Sequence, residues 1–102
     1  MKKRFVLTAV IYDKRGRVLS VGKNNYTKTH PVQAKHAERA GEPYKVYLHA
    51  EIDAIIKCPD LKRAHKLVVF RYSESGSPAE ARPCKTCMGA IRLAGIQHIE
   101  HT

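Results

Sequence analysis

The order in which apolar runs of different period follow one another constrains this chain more than any other feature. Residues 5–12 form a continuous apolar stretch rich in Val, Ile and aromatics, the polar turn 13–16 follows, and a second apolar stretch covers 18–22. That pattern reads as a β-hairpin. Residues 23–44 turn polar and basic, with His30-Pro31 biasing a boundary before a short helix over 32–39 that Gly41 and Pro43 end. Ile52, Ile55 and Ile56 then fall at i, i+3 and i+4, one face of a helix over 49–57 that Pro59 terminates. Residues 67–72 read as the next strand and 73–83, rich in Ser, Gly, Pro and charge, as a long loop. Pro83 opens a last helix with the apolar stripe Cys87, Met88, Ile91 and Ala94; Gly95 stops it, and 96–99 supply a short strand. The order β-β-(α)-α-β-α-β predicts an α/β fold, a mixed sheet covered by helices, with right-handed parallel strand-helix-strand portions.

A chain of 102 residues has the size of one compact domain, spanning 1–102. Apolar residues at 43% and charged residues at 27% exclude disordered, collagen-like and coiled-coil readings. Nineteen Lys and Arg against nine Asp and Glu give a net charge of +10. Such an excess points to an anionic partner without choosing among phosphate, nucleic acid and a membrane surface, and solubility alone is the plainer explanation. Met1-Lys2-Lys3-Arg4 and the apolar run after it imitate a signal peptide, but Asp13-Lys14-Arg15-Gly16-Arg17 stands where a small-residue cleavage site belongs. No run approaches the roughly 18 apolar residues of a membrane span. Three cysteines, two of them in Cys-x-x-Cys, fit a reducing compartment and metal or redox use. The expectation is a cytoplasmic protein with no membrane partner.

Two short motifs carry the chemistry: His49-Ala50-Glu51 at the start of the Ile-rich helix, and Pro83-Cys84-Lys85-Thr86-Cys87 at the start of the next. Zinc binds neutral imidazole and thiolates well, and two cysteines three apart on a helix turn their sulfurs to one side. Cys84 and Cys87 can therefore share an ion, with His49 as third ligand and a fourth position left for water. Two thiolates neutralise the ion and make it a weak acid, so the bound water needs further help to ionise. Helix N-termini, with unpaired N–H groups and the macrodipole, give that help. Glu51 is then the group that takes the water's proton and hands it to the substrate. Residues two apart in a regular helix point roughly 200° apart, so His49 must stand at the helix entry rather than inside it.

His-Ala-Glu, a gap, then Pro-Cys-x-x-Cys resembles the zinc-dependent cytidine and deoxycytidylate deaminase superfamily. Gly22-Lys23-Asn24 after the second strand looks like the family's Gly-x-Asn, and residues 90–96 look like its helix and strand after the cysteines. The resemblance implies a three-layer α/β/α fold around a mixed sheet, shortened at its C-terminus, and one Zn2+ held by His49, Cys84 and Cys87. It implies zinc-bound hydroxide adding to C4 of cytosine or C6 of adenine, with Glu51 as proton shuttle and cytosine ranked first. It also implies that Asn24 contacts sugar or base, and that backbone N–H groups near Ala50 and Cys84 hold the pyrimidine. Tyr26, Tyr47, Phe70 and Tyr72 are candidates for the aromatic lining of the base pocket, each with core or rim as the simpler role.

A second His-Ala-Glu, at His36-Ala37-Glu38, is rejected because Arg39-Ala40-Gly41-Glu42-Pro43 cannot continue an apolar-faced helix beneath a metal site. It is read as a solvated segment. Cys58 is expected as a semi-buried thiol, and His98 and His101 as solvated. Lys28 and His30 in the basic loop are carried as substrate contacts. Lys23, Lys28, Lys35, Arg39 and Lys45 make either a phosphate-gripping rim or a solvated face. Residues 73–82 insert ten where close relatives have a few, so the pocket rim departs from the pattern, and the shortened sheet leaves an edge that invites self-association as a homo-oligomer.

Three functional readings follow. The first is a hydrolytic, deoxycytidylate-like deaminase of a cytosine nucleoside or nucleotide. The second is the same chemistry on single-stranded DNA or RNA, which the net charge favours. The third is a non-catalytic, zinc-stabilised nucleic-acid-binding module, which requires a fourth protein ligand such as Cys58 or a nearby His.

Overall fold

In the computed structural model, residues 6–24, 29–43, 48–72, 78–79 and 83–102 are described. The hairpin forms as the apolar runs demand: β1 (Val6–Tyr12) pairs antiparallel with β2 (Val18–Lys23). Asp13 builds the turn between them. Its carboxylate accepts from the backbone N–H of Arg15 and of Arg17, each at 2.9 Å, while Gly16 supplies the left-handed residue at φ +79°. The Arg17 backbone N–H is also the main reason the Asp13 carboxyl sits below its ordinary range, against the opposing effect of burial. A register shift between Ile11 and Tyr12 places a bulge opposite the end of β1.

The chain continues as α1 (Pro31–Arg39), α2 (Ala50–Lys57), a 3-10 turn at Leu61–Arg63, β3 (Lys66–Tyr72), β4 (Pro78–Ala79), α3 (Lys85–Leu93) and β5 (His98–His101). β1 is the middle of the sheet, with β3 antiparallel on its other side. The far edge of β3 is shared: β5 runs parallel to it over Lys66–Val69, and β4 pairs antiparallel at Arg71 and Tyr72. The expected mixed sheet and parallel strand-helix-strand unit are both present, the latter as β3-α3-β5. β4 is a correction, because the segment read as uninterrupted loop contributes two residues to the sheet. Its Pro78 gives no strand signal in the sequence, yet proline is tolerated at the start of an edge strand.

Ala9, Ile11, Leu67 and Val69 alternate onto one face of the sheet and meet Ala50 and Ala54 of α2, Ile91 of α3, and Ile96. Leu48, Ile52, Cys87 and Ala90 fill the seam between α2 and α3, and α1 packs on α3. Helices α2 and α3 lie on that face, and among the described residues no helix is long and apolar enough to cross a membrane. The face expected of α2 is corrected in part. Ile52 is fully buried but Ile56 is 38% exposed, because two alanines rather than isoleucines meet the sheet.

Those alanines let α2 approach β2 backbone to backbone. A Cβ on Gly22 would collide with the carbonyl oxygen of Ala50 and the amide nitrogen of Ala54, and would stand 2.8 Å from the Ala54 Cα. Ser20 Oγ donates to the Ala54 carbonyl at 2.8 Å, and the Lys23 N–H donates to Asp53 Oδ2 at 2.9 Å, so three successive contacts fasten β2 along the helix. Gly22→Ala is expected to cost about 1–3 kcal/mol through this overpacking. A urea titration checks it, and a midpoint equal to the wild type's contradicts the close approach.

Candidate metal centre and active site

α2 and α3 present their N-termini to each other's first turn across the seam filled by Ile52 and Cys87. His49 is the N-cap of α2 (φ −85°, ψ 154°) and Cys84 the N-cap of α3 (φ −71°, ψ 170°), and neither side chain caps its own helix. His49 thus stands at the helix entry, as the alternation of directions within His49-Ala50-Glu51 requires. The extended backbone at both caps turns the two side chains across the gap rather than along their helices.

His49 Nδ1 lies 3.6 Å from Cys84 Sγ and 3.3 Å from Cys87 Sγ, and the three donor atoms all fall within 4.8 Å of one another. A tetrahedral zinc with Zn–S near 2.3 Å and Zn–N near 2.0–2.1 Å separates sulfur from nitrogen by about 3.6 Å. The donor set and its spacing therefore fit zinc. Cys87 is fully buried, sheltered by Ile52 and Ala90.

The contact between the two thiols shifts them in opposite directions. The hydrogen bond from Cys87 is the main influence holding Cys84 down to about 3, against burial and with help from His49. The same bond, joined by burial, pushes the Cys87 thiol up. A divalent ion bound here would be held by both sulfurs as thiolates, with release of protons. Glu51, in the first turn of α2, is 4% exposed. Burial raises its carboxyl above the ordinary range, while its own backbone N–H, the Cys87 thiol and His49 pull it partly back. A carboxyl so placed exchanges a proton near neutral pH more readily than a solvated one.

The supports of this site come from a segment with no periodic signal. Gln33, wholly buried in α1, accepts from the His49 N–H through Oε1 at 3.2 Å. Glu42, just past α1, accepts from both the N–H (3.1 Å) and the hydroxyl (2.8 Å) of Thr86. Its carboxylate thus caps α3 from outside, where an anion complements the helix dipole. Reasoning from sequence missed both residues. An acid beside a Gly-Pro turn is a signal for Glu42 only in hindsight, and a lone buried Gln carries none.

The remaining candidates are placed as follows. His36-Ala37-Glu38 does not join the metal cluster, but it is more than a solvated segment, since Ala37 is fully buried where α1 packs on α3. Asn24 accepts from the Leu7 N–H through Oδ1 (3.1 Å) and donates its own N–H to the Leu7 carbonyl (3.3 Å), tying the end of β2 to β1. Ala50 is buried as the first residue of α2. His30 is the N-cap of α1, its Nδ1 accepting from the Val32 N–H at 3.1 Å. Tyr26 and Lys28, with Lys45 and Tyr47, lie outside the described residues. Phe70 and Tyr72 are corrected: they alternate with Val69 and so point to the sheet face away from α2 and α3, where their rings stack at 6.5 Å. Cys58 is the C-cap of α2, packed against the core at the opposite end of the helix, about 12 Å along its axis from the metal cluster. Among the described residues no fourth His, Cys or carboxylate joins His49, Cys84 and Cys87.

The family model described as the cytidine and deoxycytidylate deaminase zinc-binding region matches residues 1–101. No curated protein matches the chain. The zinc-binding description and the His/Cys/Cys cluster agree on one Zn2+.

Because Glu42 fixes the first turn of α3, Glu42→Ala is expected to weaken zinc binding by about 10–100-fold, the usual effect of losing a support behind the ligands. Glu42→Gln keeps an acceptor oxygen and should recover most of that loss. Competition against a chromophoric chelator reads both values; equal affinities for the wild type and Glu42→Ala contradict the assignment.

Proposed function

Because the chain belongs to the cytidine and deoxycytidylate deaminase family, we propose that it hydrolyses the exocyclic amine of cytosine in a nucleoside or nucleotide. The enzyme is a zinc-dependent deaminase by family; the choice of substrate and the roles below are the proposal. The observation that carries it is Glu51, a carboxyl 4% exposed, raised by burial, and adjacent to the cluster of His49, Cys84 and Cys87.

His49, Cys84 and Cys87 would hold zinc, which would act there as a Lewis acid toward water. Glu51 does the proton work: it accepts one proton from water and delivers it to the ring nitrogen beside C4, then accepts the second from the hydroxyl added at C4 and delivers it to the departing amine. The water oxygen becomes the carbonyl oxygen of uracil, and the amine leaves as ammonia. The N–H of Ala50, in the first turn of α2, is one of the groups a helix cannot satisfy internally, and it supports the reading that backbone donors orient the pyrimidine. Asn24, held against β1 by Leu7, is the fixed group proposed to meet sugar or base. His30 commits Nδ1 to the cap of α1, so the Nε2 edge is the one it would offer substrate.

The polynucleotide reading keeps support from the net charge of +10. The non-catalytic reading loses its named ligand, since Cys58 stands at the far end of α2.

Ammonia release tests the proposal, with zinc-loaded protein offered cytidine, deoxycytidine, their monophosphates and cytosine-containing single strands in parallel. Turnover of a nucleoside or mononucleotide is expected, reduced at least about 10²-fold in Glu51→Ala. Turnover confined to polynucleotide, or unchanged in Glu51→Ala, overturns it.

A further inference from the structure

At the opposite end of α3 from the metal cluster, about 14 Å along the helix axis, the β1-β2 turn and the 3-10 turn before β3 face each other across a cleft of about 480 Å³. Its walls carry Lys14, Arg15 and Arg17 on one side and Lys62, Arg63 and His65 on the other. Among the described residues the single acid lining it is Asp13. That carboxylate is already engaged: it accepts from Arg17 Nε at 2.9 Å and Arg63 Nη2 at 3.2 Å, besides the two backbone N–H groups of the turn. Asp13 therefore does little to oppose an incoming anion. Instead it fixes two guanidinium groups from opposite walls, leaving their other N–H donors available in a set geometry.

We propose that this cleft binds the sugar-phosphate backbone of single-stranded nucleic acid, separately from the metal centre. Three features select that ligand. The five lysines and arginines exceed the one acid by four, whereas a mononucleotide brings at most about two negative charges; successive phosphodiesters meet both walls. His65 lines the cleft beside the cations, its ring tilted by 55° against that of His98 at 4.6 Å between centroids, and it offers an imidazole on which a base can stack. Gln97 adds an amide able to pair with a base edge or a 2′-hydroxyl. A lipid surface fits poorly, because the other lining residues, Ala64 and Gly95, offer no large apolar group. The binding does not depend on the chemistry proposed for the metal centre.

Fluorescence anisotropy of the zinc-loaded protein with a labelled oligouridylate and its deoxy counterpart, over a range of salt, tests this. Lys14 and Lys62 are exposed and their side chains make no bond to Asp13, so Lys14→Ala/Lys62→Ala keeps the turn intact. The double variant is expected to flatten the slope of log K against log salt by about 1.4, roughly 0.7 for each phosphate no longer neutralised, or about 25-fold in affinity at 0.1 M salt. Its turnover of whichever mononucleotide the wild type accepts should be unchanged. Arg39→Ala/Arg92→Ala removes the same charge from the groove between α1 and α3 and should leave the slope as in the wild type. Equal losses in the two double variants, no loss in the first, or displacement of the oligonucleotide by an equal concentration of cytidine monophosphate each overturn the proposal.

Discussion

The backbone of β2 meets the backbone of α2 at Gly22, because Ala50 and Ala54 show the sheet nothing larger than a methyl group. The position of the first turn of α2 follows from that contact, and with it the places of His49 and Glu51. Ser20 and Asp53 keep the helix from sliding along the strand, one through the Ala54 carbonyl and the other through the Lys23 N–H. On its other side α2 packs Ile52 against Cys87 and Ala90, which sets α3 beside it. A pair of helices so located brings two N-termini to one point, where unpaired N–H groups and aligned dipoles favour thiolate and carboxylate charge.

The helix α1 turns this meeting into a braced one. Gln33 holds the N–H of His49, and Glu42 holds both the N–H and the hydroxyl of Thr86, so α1 and the turn just past it reach the entries of α2 and α3. None of these three bonds involves a ligand side chain. The arrangement also explains why an amide is buried in this helix: its partner is a backbone donor that would be costly to leave unpaired.

Much of the fold was legible because each element has its own period or stop signal. The hairpin announces itself through Asp13 and Gly16, the C-terminal helix through Pro83 and Gly95, and the metal ligands through residue type and spacing. The entry position of His49 could even be deduced from helix geometry alone. What could not be read is what depends on contact between distant segments. Gln33 and Glu42 act through hydrogen bonds to residues 16 and 44 positions away. β4 exists because Arg71 and Tyr72 offer an open edge to Pro78 and Ala79. Phe70 and Tyr72 look like pocket residues by type, and only strand alternation against Val69 shows that they face the other way. The isoleucine stripe of α2 marks a packed face, with Ile52 buried and Ile55 against the core, but periodicity does not say which neighbour a face meets, and Ala50 and Ala54 take the sheet.

The central claim is that His49, Cys84 and Cys87, converging from two helix entries, hold one zinc ion and leave it a position that no side chain among the described residues fills. X-ray absorption at the zinc edge of the loaded wild-type protein tests it most directly. Two sulfur neighbours at about 2.3 Å and two lighter neighbours at about 2.0–2.1 Å are expected, with one lighter neighbour exchangeable for an added small anion. Three sulfurs, or a four-coordinate shell that no added ligand perturbs, would contradict the account.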